Sequence, residues 1–81
     1  MDPAIAFGHV LRRLRKEAGL SQEQLSFEAD IERNFVSLIE RGVNQPTIRV
    51  IFKLASALRT SPSQMLALVE KEIKLPSAAT K

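Results

Sequence analysis

The stretch ERNFVSLIERG, residues 32–42, places two different faces on one predicted helix. Phe35, Val36 and Ile39 are apolar and follow the i, i+1, i+4 spacing of a face that packs on a core. The opposite face carries polar and basic side chains with one leucine: Arg33, Asn34, Ser37, Leu38 and Arg41. The first face predicts attachment to a domain core, and the second face is the candidate binding surface.

Helix caps and apolar stripes place this helix third among five. Typical helix starts occur at Asp2-Pro3, SQEQ (21–24), Thr47 and SPSQ (61–64), and typical ends at Gly19 and Gly42. The inward residues expected in the other helices are Phe7, Val10, Leu11, Leu14, Ala18, Leu25, Ala29, Ile48, Ile51, Leu54, Ala55, Leu58, Met65, Leu66, Val69 and Ile73. The sequence therefore predicts an all-α, compact five-helix domain over residues 1–75, followed by a flexible C-terminal tail at 76–81.

The composition excludes several classes of function. The chain has 81 residues, of which 44% are hydrophobic, as expected for one small domain. It has no cysteine, and its single histidine, His9, has no partner at a metal-ligand spacing. No catalytic triad pattern and no Gly-rich phosphate loop occur. We therefore expect a non-enzymatic protein without metal or cofactor, and the absence of a long apolar run or signal-peptide pattern predicts a cytoplasmic location without membrane contact.

The connection between the second and third helices is short. Only about three residues, Asp30 to Glu32, separate them, and so short a turn predicts a sharp crossing of the helix-turn-helix type. In that motif the second helix enters the major groove of DNA. Its outward side chains have suitable chemistry, since Arg fits the guanine edge, Asn the adenine edge and Leu the thymine methyl group, while Ser adapts to donors or acceptors.

Four motifs occur in the order and spacing of a known family: GLSQEQL, VSLIERG, NQPT and SPSQML. From about residue 8 to residue 66 the chain resembles the lambda-repressor-like, Cro-like (XRE) helix-turn-helix family. The resemblance implies a lambda-repressor-like fold and a sequence-specific, DNA-binding transcriptional regulator. It assigns base reading to Arg33, Asn34, Ser37 and Leu38, phosphate contacts to Gln22, Arg41 and Asn44, and a structural ion pair to Arg15 and Glu40.

Three residues depart from the family pattern. Asp30 stands where the family usually has glycine, and Arg59 stands where it often has glycine. Asp tolerates left-handed backbone better than most residues. Glu32 stands where Ser, Thr or Asp usually caps the third helix. Glutamate is a poorer cap, although its charge suits a helix N-terminus, and it either weakens binding near the phosphates or contacts a cytosine.

Surplus apolar residues predict self-association. Leu68, Ile73 and Leu75 on the last helix, with Phe52 on the fourth, have little core to reach in so small a domain. Because one reading helix contacts too few base pairs, we expect a homodimer on a pseudo-palindromic operator in double-stranded DNA. The alternative is that Leu68, Ile73 and Leu75 only cap the monomer core.

A second class of function stays open, namely a protein-interaction module that docks a toxin or a transcription component. Arg, Asn and Ser on the outward face favour DNA, because protein-docking faces centre on aromatic or aliphatic anchors. The resemblance leaves open an autoregulatory phage-type repressor, an antitoxin and a restriction–modification controller. It also leaves open activation and repression, since Glu23 lies where family activators contact RNA polymerase. When bound to DNA, such a protein would be associated with the nucleoid.

Overall fold

The structure is a computed structural model that describes residues 1–80, with side chains for residues 1–74. Its helices are α1 (Pro3–Glu17), α2 (Gln22–Ala29), α3 (Arg33–Glu40), α4 (Ile48–Ala57) and α5 (Pro62–Thr80). Residues 1–80 contain no strand. The predicted all-α, five-helix class is confirmed.

The predicted caps account for where the helices begin. The Asp2 carboxylate accepts a hydrogen bond from the Ala4 amide at 2.9 Å, and Ser21 with Gln24 forms a complete capping box at the start of α2. The second predicted box is different. Ser61 caps the Gln64 amide at 3.1 Å, but the Gln64 side chain accepts from the Thr60 hydroxyl at 2.7 Å.

Four residues end helices or turns with positive φ angles. Gly19 and Gly42 adopt φ of 74° and 75°, which costs glycine little. Asp30 and Arg59, at the two predicted departures from glycine, adopt φ of 57° and 58°. The backbone therefore has the left-handed conformation at both positions without the residue that adopts it most easily.

All five helices contribute to one core. Its largest fully buried side chains are Val10, Leu11, Leu25, Val36, Ile39, Leu54 and Met65. Three expected inward residues are exposed instead: Ala18, Ile48 with 69% and Leu66 with 43% of its surface exposed. Ile48 is the first residue of α4 and shares its outer face with Phe52, and Leu66 lies 100° around α5 from the buried Met65. Those three predictions are wrong because the buried stripes of α4 and α5 are narrower than the apolar pattern, and because Ala18 lies just beyond the end of α1.

The last helix also differs from expectation. Leu68 and Ile73 are half-buried and pack against the core, so the expectation that they have little core to reach is wrong. The Leu75 side chain lies outside the described residues. Helix α5 continues to Thr80, across most of the segment predicted as a tail, and the domain boundary at residue 75 stays a prediction.

A close approach of two backbones sets the position of α3. Gly8 on α1 is buried, and a Cβ added there would lie 2.7 Å from the Glu40 backbone oxygen and closer still to that of Ile39. No side chain fits into this space without moving α3. Gly8 therefore allows the C-terminal end of α3 to lie directly on α1.

Candidate nucleic-acid interface

The turn between α2 and α3 is held from both sides. The Ile31 amide donates to the Ser26 carbonyl at 3.0 Å, which closes the end of α2 around the left-handed Asp30. Lys53 of α4 donates to the Asp30 carbonyl oxygen at 3.2 Å. These bonds fix the direction in which α3 leaves the turn.

The inner face of α3 anchors it to the core as predicted. Val36 and Ile39 are fully buried, and Phe35 is half-buried against the core. The outer face remains accessible, with Arg33 and Asn34 exposed and Ser37 and Leu38 half-buried. The structure thus brings the four residues predicted to read bases onto one surface, and their contacts with bases stay predictions.

The predicted phosphate-contacting residues lie at the two ends of that surface. Gln22 is the first residue of α2, and it lines a shallow polar hollow together with Arg33, Asn34 and Ser37. Arg41 and Asn44 follow the end of α3, where Arg41 is exposed and Asn44 is half-buried. The backbone N–H of Asn44 donates to the Leu38 carbonyl at 3.3 Å, which keeps the following loop against the helix.

Arg15 and Glu40 form the ion pair that the resemblance implied. The Arg15 Nε and Nη2 atoms donate to the two Glu40 carboxylate oxygens at 2.6 and 3.1 Å. Their side chains are only 10% and 2% exposed, and Arg15 Nη1 also donates to the Leu20 carbonyl at 2.8 Å. The pair joins α1, the α1–α2 loop and α3 beneath the interface.

Sequence reasoning missed a bond that connects this pair to the interface. Gln22 Nε2 donates to Glu40 Oε1 at 3.0 Å. Because an ionised carboxylate only accepts hydrogen bonds, the Gln22 amide must turn its NH₂ group toward Glu40. The spacing of 18 residues gives no local signal for this contact, and only the crossing of α2 and α3 creates it.

Three acidic residues lie around the turn between α2 and α3: Glu23, Asp30 and Glu32. Glu32 caps α3 without a side-chain hydrogen bond, as expected of a poor cap. Phe27, which sequence reasoning did not single out, is 86% exposed and lines an open hollow with Glu23, Asp30 and Glu32. Its position off the Leu25–Ala29 stripe was the available signal for exposure.

One charged cluster lies away from the interface, between α1 and α5. His9 Nδ1 lies 3.2 Å from Glu72 Oε2, and Arg13 donates to Glu72 Oε1 at 3.4 Å. The hydrogen bond with His9, supported by Arg13, lowers the pKa of Glu72. This link between α1 and α5 therefore weakens when the pH falls far enough to protonate Glu72.

The described residues contain neither a membrane-spanning helix nor a metal-binding cluster. No helix there has the length and apolar character needed to cross a membrane. Within the same part of the chain, no three His, Asp or Glu side chains are grouped so that they could hold a metal ion.

The fold and the anchored α3 helix define a helix-turn-helix domain of the lambda-repressor-like, XRE class. The chain belongs to this family, since the helix-turn-helix family model matches residues 11–65. It is similar to the control protein C.BamHI of Bacillus amyloliquefaciens, with 36% identity over 63 residues that cover 76% of this chain and 78% of the relative. Control protein C.MunI of a Mycoplasma species is 35% identical over 72 residues, which cover 88% of this chain and 97% of the relative.

Solved structures show the same similarity. The restriction-modification controller protein C.AhdI of Aeromonas hydrophila superposes with a TM-score of 0.75 and 40% identity, over 76% of this chain and 94% of that one. The controller C.Esp1396I, solved as a tetramer with its natural 35 base-pair operator, gives a TM-score of 0.82 and 26% identity, over 90% of this chain and 96% of that one.

Proposed function

We propose that this chain is a sequence-specific DNA-binding transcriptional regulator that reads an operator with α3. The observation that carries the proposal is the division of α3 into a buried face and an accessible face bearing Arg33, Asn34 and Ser37. Membership of the family and the operator complex of a relative support the same function. The rival function, a protein-docking module, would favour aromatic or aliphatic groups on this face of α3.

Base reading falls to the outer face of α3. Arg33, at the exposed first turn, fits a guanine through a bidentate fork, and Asn34 fits an adenine in the same way. Ser37 adapts to a donor or an acceptor, and Leu38 offers an apolar surface. These four side chains would supply the preference for one sequence over another.

Phosphate contacts position the domain on the duplex. Gln22 lies at the N-terminus of α2, where unsatisfied backbone N–H groups and the helix dipole favour an anion. Arg41 and Asn44 lie at the far end of α3 and would contact a second phosphate position. Such contacts raise the affinity for every sequence and set the register of α3 in the groove.

A homodimer is part of the proposal. Phe52 is 60% exposed and shares an outer face of α4 with Ile48, which supports Phe52 as an interface residue. Leu68, Ile73 and Leu75 keep their proposed interface role on α5, where the first two contribute the part of their surface that the core leaves uncovered. Two recognition helices related by a two-fold axis would meet half-sites about 34 Å apart in a pseudo-palindromic operator.

Among the alternatives, the relatives favour a restriction–modification controller over a phage repressor or an antitoxin. We infer autoregulation, in the cytoplasm and on the nucleoid when bound, and no catalytic activity. RNA polymerase is a second candidate partner, since Glu23 is exposed on α2 beside the interface.

Selection of duplexes from a randomised library with the purified protein tests this function. We expect one enriched pseudo-palindromic sequence and binding to it in the nanomolar range at physiological salt. Arg33→Ala should weaken binding to that duplex by about 1–3 kcal/mol and relax preference at one base pair, and Asn34→Ala should do the same at a neighbouring pair.

Arg13→Ala is the matched control, because it removes the same charge from the side of α1 that faces Glu72. Its selectivity should equal that of the unaltered protein. Failure to enrich any sequence would overturn sequence-specific binding. An equal loss on selected and unrelated DNA would assign Arg33 and Asn34 to phosphate contacts.

A further inference from the structure

The peptide group between Asp30 and Ile31 lies at the centre of the turn between α2 and α3. Asp30 ends α2 in the left-handed region, with φ of 57° and ψ of 50°. The Ile31 N–H of this peptide group donates to the Ser26 carbonyl at 3.0 Å, and the Asp30 carbonyl accepts from Lys53 Nζ at 3.2 Å. The group is therefore bonded to α2 through its N–H and to α4 through its carbonyl.

These two bonds fix the orientation of the peptide group. Because a peptide group is planar, its N–H and its carbonyl rotate together, and a bond at each of them stops that rotation. Helix α3 begins at Arg33, only two residues after Ile31. The direction of α3 relative to α2 therefore depends on Lys53, which belongs to neither helix.

The contact of Lys53 with the Asp30 carbonyl is more than a surface ion pair. A cation near the C-terminus of a helix interacts favourably with the last carbonyl groups and with the helix dipole. Lys53 Nζ also lies 3.9 Å from the Asp30 carboxylate, but that side chain is 98% exposed, so the ion pair contributes little. The bond to the carbonyl is the part of the contact that constrains the turn.

The start of α3 relies on this turn for its position. Glu32 makes no side-chain hydrogen bond as the cap of α3. Arg33 and Asn34 follow directly in the first turn of the helix, and both are exposed. Rotation of the peptide group before Glu32 would therefore move the side chains proposed to read bases.

We infer that Lys53 is a positioning residue for base reading, since its bond to the Asp30 carbonyl holds α3 at one angle. This inference rests on the proposed function. Hydrogen bonds to base edges weaken steeply when donor and acceptor are misaligned, whereas phosphate contacts carry no sequence information. Loss of the Lys53 bond should therefore lower the preference for the operator more than the affinity for DNA in general.

Lys53→Met tests the inference, because it keeps the apolar stem of the side chain and removes the charged donor. Binding to the selected duplex and to an unrelated duplex is measured at several salt concentrations. Binding to the selected duplex should weaken about tenfold, the equivalent of about 1.4 kcal/mol, and binding to the unrelated duplex should change less than about twofold. Lys53→Arg restores a cationic donor and should recover most of the lost selectivity.

Two control variants isolate the bond to the carbonyl. Asp30→Asn removes the carboxylate charge but keeps the backbone carbonyl and a residue that tolerates left-handed backbone, so the ratio of the two affinities should stay unchanged. Lys16→Met removes the same charge from an exposed position on α1 and should also leave the ratio unchanged. A loss of selectivity in Asp30→Asn equal to that in Lys53→Met would assign the effect to the ion pair and overturn the inference.

Amide hydrogen exchange without DNA provides a second readout. The Ile31 amide should lose protection in Lys53→Met, because the peptide group is then held from one side only. The amides of Leu11 and Leu54, whose side chains are fully buried in the core, should keep their protection and verify that the variant is folded.

The outcomes distinguish this inference from the proposed function. Weaker binding to the selected duplex alone, with faster exchange at Ile31, supports Lys53 as a positioning residue. An equal loss on both duplexes with a salt slope reduced by about 1 would make Lys53 a phosphate contact and overturn the inference. An unchanged affinity ratio, or a changed ratio without faster exchange at Ile31, would overturn it as well. Absence of specific binding by the unaltered protein would instead overturn the proposed function.

Discussion

Gln22 and Glu40 connect the surface of the domain to its buried ion pair. The Gln22 amide donates to one Glu40 oxygen at 3.0 Å, and Arg15 donates to both oxygens of that carboxylate. Glu40 is 2% exposed, whereas Gln22 is half-buried and lines the polar hollow of the proposed interface. The same carboxylate therefore stabilises the fold and orients a side chain proposed to contact DNA.

Truncation of either member of the buried pair should destabilise the domain strongly. Arg15→Ala and Glu40→Ala should each cost about 3–5 kcal/mol, because each leaves the other charge buried without its partner. The double variant should be less destabilised than the sum of the two. Arg13→Ala breaks only the exposed contact with Glu72 and should destabilise the protein far less in the same urea unfolding experiment. Additive losses for the buried pair would contradict a coupled ion pair.

Phosphate contacts should be recognisable by their salt dependence. Arg41→Ala should weaken binding to selected and unrelated duplexes by similar factors and reduce the salt slope by about 1 per protomer. Gln22→Ala should also weaken binding to all duplexes by similar factors. It should leave the dependence of log affinity on log salt concentration nearly unchanged, because an uncharged amide displaces no counterion. Titrations at several salt concentrations measure both quantities. An unchanged slope for Arg41→Ala would remove it from the phosphate contacts.

Replacement of Gly8 should destabilise the domain although it lies within a helix. Alanine normally stabilises a helix interior by about 1 kcal/mol relative to glycine. At Gly8 the added Cβ meets the backbone oxygens of Ile39 and Glu40, so Gly8→Ala should instead cost about 1–3 kcal/mol or more. Gly19→Ala would measure a different cost, since an added Cβ there has no atom within 4 Å but the positive φ alone should cost about 1–2 kcal/mol. A stabilised Gly8→Ala variant would show that α1 and α3 are farther apart.

Glycine at position 59 should stabilise the protein. Arg59 holds a φ of 58°, a conformation that costs an L-residue about 1–2 kcal/mol. Replacement by glycine would remove this cost, but part of the gain in stability is lost because unfolded glycine has greater conformational freedom. We expect Arg59→Gly to add about 0.5–1 kcal/mol to the free energy of unfolding. Arg59→Ala removes the side chain but keeps the strain, so it should bring no comparable gain. Equal effects of the two variants would assign the change to the arginine side chain.

Dimer formation should depend on the outer face of α4. Phe52→Glu should shift the protein to monomer at micromolar concentration, because the charge would be buried in the proposed interface. Phe27→Glu introduces the same change at an exposed phenylalanine of α2 and should leave the dimer intact. Sedimentation velocity without DNA measures both. A monomeric unaltered protein, or a dimer insensitive to Phe52→Glu, would overturn the interface.

The sequence alone determined the order and the starts of the helices. Asp2, Ser21 and Thr47 cap helices through bonds to amides two or three residues away, and such local bonds depend on short-range spacing. The short turn around Asp30 similarly predicted the crossing of α2 and α3. The accessible positions of Arg33 and Asn34 also followed from helical periodicity together with the buried Val36 and Ile39.

Only the tertiary structure decided which apolar residues the core covers and which polar groups meet across helices. Ile48 and Leu66 continue apolar stripes in sequence, yet the packed helices leave both of them exposed. Gln22 contacts Glu40, and the α3 backbone approaches Gly8 closely, only because separate helices cross at these points. No pattern of neighbouring residues in the sequence predicts either contact. Periodicity specifies directions around one helix axis, whereas contacts between helices depend on how the axes pack, which is set by the whole core.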